Sequence, residues 1–360
     1  MPKKVIITTA GRLHFNSLKM NAVDGRGCGG IGVALKDPAL KIIFSLANKI
    51  VITGADAMLR KKVENFAKNF LLYIGVNRGI NIKIIKFFPG KVGLGSGTQL
   101  GMSVGRGISL LYGKKISLRL IAEITKRAGI SGIGYYAFSK GGLIVDGGYW
   151  MGKTEAKKTF ADHNPTPPPL IARYSFPTNW KVLLLTPKKS LPKISSLDEA
   201  KLFIENTPVP MKEIGVICTN VLMGIIPSLQ EKDYFKFIEY LSKIGNLGTK
   251  KVELELNYNL LNYFNNKFSN LLARKLIRLS ANKYYWQVSS DSKVFEKKYP
   301  SRKIPFLMLS SLGTTFYSIL LDGYHDFDYI KRELKRGLPN DWTVNLTSVN
   351  NRPAKIDILQ

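Results

Sequence analysis

The sequence is short of cysteine, of acidic residues and of long apolar runs, and each shortage removes a class of function. Cys28 and Cys218 are the only cysteines among 360 residues, so neither a disulfide framework nor a cysteine-rich zinc site is available. No apolar run approaches the ~20 residues that a membrane-spanning helix requires. The N-terminus, Met1-Pro2-Lys3-Lys4 followed by a short β-like run, lacks the pattern of a cleavable leader. A cytoplasmic protein without a membrane partner is the expectation. Asp and Glu total 25 against 54 Lys and Arg, for a formal net charge of +29. That excess raises the local concentration of polyanions, nucleic acids and phosphorylated metabolites alike. The cations nevertheless occur mostly as singles and pairs, such as Lys61-Lys62, Lys188-Lys189 and Lys297-Lys298. With no basic tail and no basic stretch interleaved with aromatics, specific nucleic-acid binding is not expected, whereas nonspecific binding at low salt is.

What the chain does have is glycine, in three passages. The most informative runs from Pro89 to Gly105 (PGKVGLGSGTQLGMSVG). It follows a β-type run, Asn81 to Phe87, and leads into Leu100, Val104, Ile108 and Leu111 at helical spacing, which predicts strand, loop and helix in succession. Gly93, Gly95 and Gly97 permit positive φ and put no side chain between backbone and ligand, so successive N–H groups can converge on an anion. The helix start adds unpaired N–H groups and a partial positive charge. Ser96, Thr98 and Gln99 place further donors at the same mouth, and Lys91 is a nearby counter-charge. Gly101 and Gly105 would let the helix lie close to a neighbour. A bare G-x-G-x-G serves equally as a plain strand-to-helix corner. Two more glycine passages, Gly27 to Gly32 and Ala128 to Gly134, favour a phosphate site.

Along the chain, Val5 to Thr9 reads as a first strand running into Ala10 through Phe15, and residues 41 to 53 supply further strands. Ala55 to Leu72 and Ile116 to Arg127 carry helical spacing. Tyr135 to Phe138 and Leu143 to Val145 read as a hairpin through Lys140-Gly141-Gly142. The polar, proline-rich residues 152 to 169 predict a connection between a domain over 1–165 and another over 170–360. Beyond it come a strand at Trp180 to Leu185 and helices at Leu197 to Ile204, Met211 to Ile225, Asp233 to Ile244 and about Leu260 to Ile277. Ile304 to Leu309, a polar turn over Ser310 to Thr315 and an apolar run from Phe316 to Leu321 follow. Mixed helices and strands with a β-rich opening predict an α+β fold.

Four blocks of these residues resemble one family, the β-ribofuranosylaminobenzene 5′-phosphate synthases of archaeal methanopterin-type biosynthesis, within the GHMP kinase superfamily. They are Arg12-Leu13-His14-Phe15 through Gly29-Gly30-Ile31-Gly32; Gly93 through Gln99; Arg127 through Ser131-Gly132-Ile133-Gly134 to Gly141 through Gly148; and Phe176 through Trp180. The resemblance covers most of the chain. It implies a two-domain GHMP-kinase-like fold, a homodimer and a Mg²⁺-dependent pentosyltransferase. The implied reaction joins phosphoribosyl pyrophosphate to 4-aminobenzoate or 4-hydroxybenzoate, forming a ribosyl–carbon bond and releasing carbon dioxide and pyrophosphate. On that reading Gly93, Gly95, Ser96, Gly97, Thr98, Gln99 and Ser131 hold the pyrophosphate beside Lys91. Arg12 and Arg26 would meet the 5′-phosphate or the aromatic carboxylate, since a planar guanidinium offers two hydrogen bonds to either. His14 would orient substrate, and Glu123 and Asp146 would bind Mg²⁺. Each has a plain structural alternative: salt-bridged arginines, a satisfied histidine beside a strand, an exposed helical glutamate, a turn-forming aspartate.

In superfamily kinases the turn matching Ser131-Gly132-Ile133 is typically followed by an aspartate, where this chain has Gly134. A phosphoryl acceptor would lack its carboxylate, whereas a carbon nucleophile has no hydroxyl proton to lose at the reacting atom. The chain departs from the family pattern at Cys28, where aspartate is expected, and at Tyr149, where histidine is expected. It departs again at Leu307-Met308-Leu309 before Ser310-Ser311 and at Thr314 after Gly313. Two other readings therefore stand beside the synthase: an ATP-dependent small-molecule kinase and a non-catalytic anion-binding paralogue.

Overall fold

The computed structural model of the protein describes residues 2–20, 25–150, 166–189, 205–256, 278–279, 306–311, 313–323 and 325–360. Its frame is a long antiparallel hairpin of β1 (Lys4–Lys19) and β2 (Arg26–Ala47). In β1 the alternation of buried Val5 and Ile7 with less buried neighbours marks one face for the core. The far half of β2 pairs with β4 (Gly79–Lys86), and β3 (Val51–Thr53) joins β4 in parallel. The near half, from Gly30 to Val33, pairs instead with β5 (Leu143–Asp146). Glycine is required here by close approach, because a β-carbon at Gly32 would overlap the Leu13 carbonyl oxygen. A short β6 (Tyr149–Trp150), β7 (Leu170–Tyr174) on β5, and the final strand β13 (Lys355–Leu359) on β1 complete an eight-stranded sheet.

Helices cover one face of this sheet. The first, α1 (Ala57–Tyr73), starts at Asp56, whose side chain accepts the Leu59 amide. The central helix α2 (Ser96–Leu111) buries Leu100, Val104, Ile108 and Leu111, the stripe expected from spacing. Gly105 lies against Ile121 and Phe70, which brings α2 close to both α1 and α3 (Leu118–Ile124). The expected strand at Tyr135 to Phe138 is helical instead, as α4 (Ile133–Ser139). Its aromatic residues suit a strand, but Ile133, Gly134, Tyr136, Ala137 and Phe138 are all buried, a run that a short helix wedged against α2 and β2 accommodates.

A second, five-stranded sheet has the order β12 (Trp342–Ser348), β8 (Trp180–Pro187), β11 (Phe316–Leu321), β10 (Phe306–Leu309), β9 (Arg278–Leu279). Around it lie α5 (Met211–Gln230), α6 (Tyr234–Ile244), α7 (Thr249–Leu256) and α8 (Phe327–Gly337). Among the described residues α5 alone is long and apolar enough to cross a membrane. Its Ile217, Val221, Ile225 and Leu229 pack in the main core with Phe237 and Leu241 of α6. The expected division near residues 165–170 does not separate the two sheets, since β7 and β13 both lie in the first. The helices expected at Leu197 to Ile204 and Leu260 to Ile277, and most of the 152–169 connection, fall outside the described residues.

Candidate active site

The two sheets meet at the glycine loop. Gly93 has φ +88° and its β-carbon would overlap the Ser310 carbonyl oxygen, so only glycine fits against the turn between β10 and β11. That turn grips the loop: Ser310 Oγ donates to the Gly93 carbonyl (2.9 Å), and the Thr315 amide and hydroxyl both donate to the Val92 carbonyl (3.1 and 2.6 Å). From the other side Arg12 Nη1 donates to the Gly93 carbonyl (2.6 Å) and the Arg12 amide to the Leu94 carbonyl (2.9 Å). With its carbonyls so engaged, the loop delivers Gly95 at φ +74° as the cap of α2. The amides of Ser96 and Gly97 then find no acceptor among the described residues, leaving a helix start open to an anion.

Cations that the sequence reading did not assign to the site stand over this opening. A β-carbon at Gly97 would lie 3.3 Å from Arg127 Nη1 and 3.4 Å from Lys62 Nζ. Arg127 lies over the Phe66 ring, 5.1 Å from its centroid, and its enclosed Nε has no acceptor among the described residues. Burial lowers the Lys62 pKa, and repulsion from Arg127 and Lys91 lowers it further; burial alone lowers that of Arg127. Nothing in spacing singles them out: Lys62 lies on a lysine-rich helix face and Arg127 just beyond a helix end.

Below the loop is a buried polar layer. Arg12, half-buried, is pushed down to about 10 by burial, with Glu253 opposing. His14 is 5% exposed, its Nδ1 has no partner among the described residues, and burial, Arg12 and Lys250 all hold its pKa well below the usual imidazole value. His14 Nε2 and an Asp146 oxygen both border the space beside Gly30, at 3.0 and 3.3 Å from where its β-carbon would lie. Lys250 of α7 donates to the Leu309 carbonyl (3.0 Å), the His14 carbonyl (3.4 Å) and the Glu253 carboxylate. Neither Lys250 nor Glu253 was legible as a buried residue.

The geometry gives several of the expected site residues partners within the protein. Gln99 is fully buried, accepting from Thr9 Oγ1 (2.6 Å) and donating to the Gly134 carbonyl (2.8 Å), so it braces the loop against α4 and offers no donor to a phosphate. Arg26 is exposed and donates to the carbonyls of Gly147 and Gly148 (3.0 and 3.1 Å), which ties it to that turn and away from the loop. Ser131 Oγ accepts the Ile133 amide at the start of α4, which leaves its hydroxyl hydrogen able to donate. The residues expected to hold Mg²⁺ do not fit that role. Asp146 has no exposed surface and its oxygens accept the amides of Gly132 (3.0 Å) and Gly148 (3.1 Å), while Glu123 is held by Arg119 (3.3 Å) and Thr166 (3.1 Å). Among the described residues no group of three or more His, Cys, Asp or Glu side chains could hold a metal ion. Thr98 packs on Gly134, joining the first and third glycine passages. Cys28 sits at φ +64° and is buried with Tyr149, so the two unexpected residues share one apolar cluster with Met20, Val209 and Ile214. Burial, with Asp146 nearby, pushes the Cys28 thiol up to about 12.

Residues 59–142 match the family described as GHMP kinases N terminal domain. The whole chain is similar to a solved homoserine kinase from Cytophaga hutchinsonii, with a TM-score of 0.59 at 14% identity, over 99% of this chain and 98% of that one. The fold, with its glycine loop at the start of α2, is that of the GHMP kinase superfamily. Within it, the chain is 38% identical over 272 residues to the beta-ribofuranosylphenol 5'-phosphate synthase of Methanocaldococcus jannaschii, covering 71% of this chain and 81% of that protein. The synthase of the same description from Archaeoglobus fulgidus is 38% identical over 252 residues, or 69% of this chain and 78% of that protein. The chain belongs to this synthase family and is an enzyme of the pentosyltransferase type.

Proposed function

We propose that the protein joins C1 of phosphoribosyl pyrophosphate to the ring carbon of 4-hydroxybenzoate that bears the carboxylate. The ring carbon attacks C1 as the C1–oxygen bond breaks and its electron pair leaves on pyrophosphate. The ring then regains aromaticity by expelling carbon dioxide. Of the two benzoates considered above, the hydroxy compound matches the phenol in the relatives' description. The archaeal relatives also support a place in methanopterin-type cofactor biosynthesis.

One observation carries the reading: the open amides of Ser96 and Gly97 lie beside the cations Arg127 and Lys62, and the neighbouring corner is Gly134 and not a carboxylate. A β-carbon at Gly134 would already lie 3.1 Å from Thr98 Cγ2, so that corner has little room for a general base. The site supplies positive potential where negative charge grows on a leaving group, as an electrostatically assisted departure needs. Arg12 shapes the loop from beneath, and neutral His14 orients the acceptor.

Incubation with phosphoribosyl pyrophosphate, Mg²⁺ and each benzoate should release carbon dioxide only when the aromatic is present, and faster with 4-hydroxybenzoate. Absence of aromatic-dependent release, under conditions where a synthase relative is active, would remove the proposal. Gly97→Asp, which sets a carboxylate against the diphosphate, should nearly abolish release; full activity in that variant would refute the loop assignment.

A further inference from the structure

We propose that Lys62 and Arg127, joined by Lys91, form a clamp for the diphosphate leaving group and make the site prefer a diphosphate over a single phosphate. The inference deepens the reading above of the same loop, and depends on it for the reaction but not for the binding. These cations come from three separate places: α1, the glycine loop and the turn after α3. Some lysines of this chain pair with carboxylates, as Lys68 does with Glu64 (2.6 Å) and Lys243 with Glu239 (2.6 Å), but what sets these three cations apart is that they gather at one helix start. Among the described residues the side chains of Lys62, Lys91 and Arg127 have neither hydrogen-bond nor ion-pair partners. They repel one another beside a helix start that is itself positive, and Arg127 Nε is enclosed with no acceptor among the described residues. Arg127 is half-buried while Lys62 and Lys91 are exposed, and an anion at the helix start would relieve the repulsion among the three. A diphosphate carries more charge than one phosphate and spans more donors, and it gains a further negative charge as the C1–oxygen bond breaks. The clamp therefore holds the leaving group more tightly in the transition state than in the bound substrate.

Calorimetry with pyrophosphate and with inorganic phosphate, without acceptor, tests this on the full chain and on Arg127→Met, Lys62→Met, Arg127→Lys and Lys61→Met. Wild type should bind pyrophosphate at least about 10-fold tighter than phosphate. Arg127→Met and Lys62→Met should each lose about 10- to 100-fold for pyrophosphate, the worth of a charged hydrogen bond. Arg127→Lys should fall between, having the charge without the planar fork. Lys61 is exposed on the same helix, as Lys62 is, but is not among the nearest atoms to a Gly97 β-carbon, so Lys61→Met should bind as wild type does. Ligand-free thermal unfolding checks that each variant is folded, and Lys62 and Arg127 are tested independently should one substitution fail to fold. Unchanged affinity in both methionine variants, or an equal loss in Lys61→Met, overturns the clamp. Carbon dioxide release with undiminished pyrophosphate affinity in the variants would leave the reaction standing and the clamp refuted. Clamp-dependent binding without release would do the reverse.

Discussion

Asp146 has no exposed surface, and burial raises its pKa from 3.8 to about 7 even though the amides of Gly132 and Gly148 favour the ionised form. Between those two values the folded state binds more protons at this residue than the unfolded state does. Its contribution to stability is therefore complete below the unfolded value and lost as pH rises towards about 7, by on the order of 4 kcal/mol at most. His14 acts in the opposite sense. Its folded pKa is depressed, so the unfolded chain takes up the proton first and stability is lost as pH falls through the ordinary histidine value. Net stability mixes the two, and the informative quantity is wild type minus Asp146→Asn. In urea unfolding between about pH 4 and about pH 8 that difference should move steadily against the wild type as pH rises. A constant difference would mean that Asp146 titrates normally. The cations Lys62 and Arg127 were not legible in the sequence, whereas the glycine loop and its polar neighbours Ser96, Thr98 and Gln99 were. Their directions were not: Gln99 turns its amide inward to Thr9 and Gly134, a choice set by α4 some way along the chain.

At the scale of elements, α7 is held to both sheets by one side chain. Lys250, 2% exposed, bonds the carbonyls of His14 in β1 and Leu309 in β10 and the carboxylate of Glu253, 5% exposed. Removing one member of a buried pair leaves the other charge stranded. Lys250→Met should therefore destabilise the protein by about 3–5 kcal/mol. Lys250→Met combined with Glu253→Gln should recover much of the loss, since no naked carboxylate remains. Urea midpoints at constant slope measure both; simple additivity of the two single costs would show that the residues act apart. This element illustrates a limit of sequence reading. In Thr249-Lys250-Lys251-Val252-Glu253 nothing distinguishes buried Lys250 from Lys251, which is exposed and pairs with Glu213 (2.8 Å). The strand, loop and helix around residues 79–111 were legible because glycine and apolar period agree there. Helix α4 was not, since tertiary burial overruled its aromatic strand pattern.

For the whole molecule the unanswered charge of +29 acts on stability as well as on ligands. Self-repulsion of that size opposes the compact state, while the paired charges are mostly exposed and worth little each. Lys68–Glu64, Arg119–Glu123 and Lys355–Asp357 are of this kind, and the outer face of α8 carries Lys331, Arg332, Lys335 and Arg336 together. Between about 0.01 M and about 0.15 M NaCl the Debye length shrinks from ~30 Å to ~8 Å, which screens the many distant repulsions more than the few contact pairs. The thermal midpoint should therefore rise with salt over that range. A fall would mean that attractive pairs dominate despite the count of charges. Pyrophosphate added at constant ionic strength should raise the midpoint further, by an amount that follows its occupancy of the loop. In Arg127→Met the salt-driven rise should persist while the pyrophosphate-specific rise shrinks, which separates the diffuse charge of the surface from the three cations gathered at the start of α2.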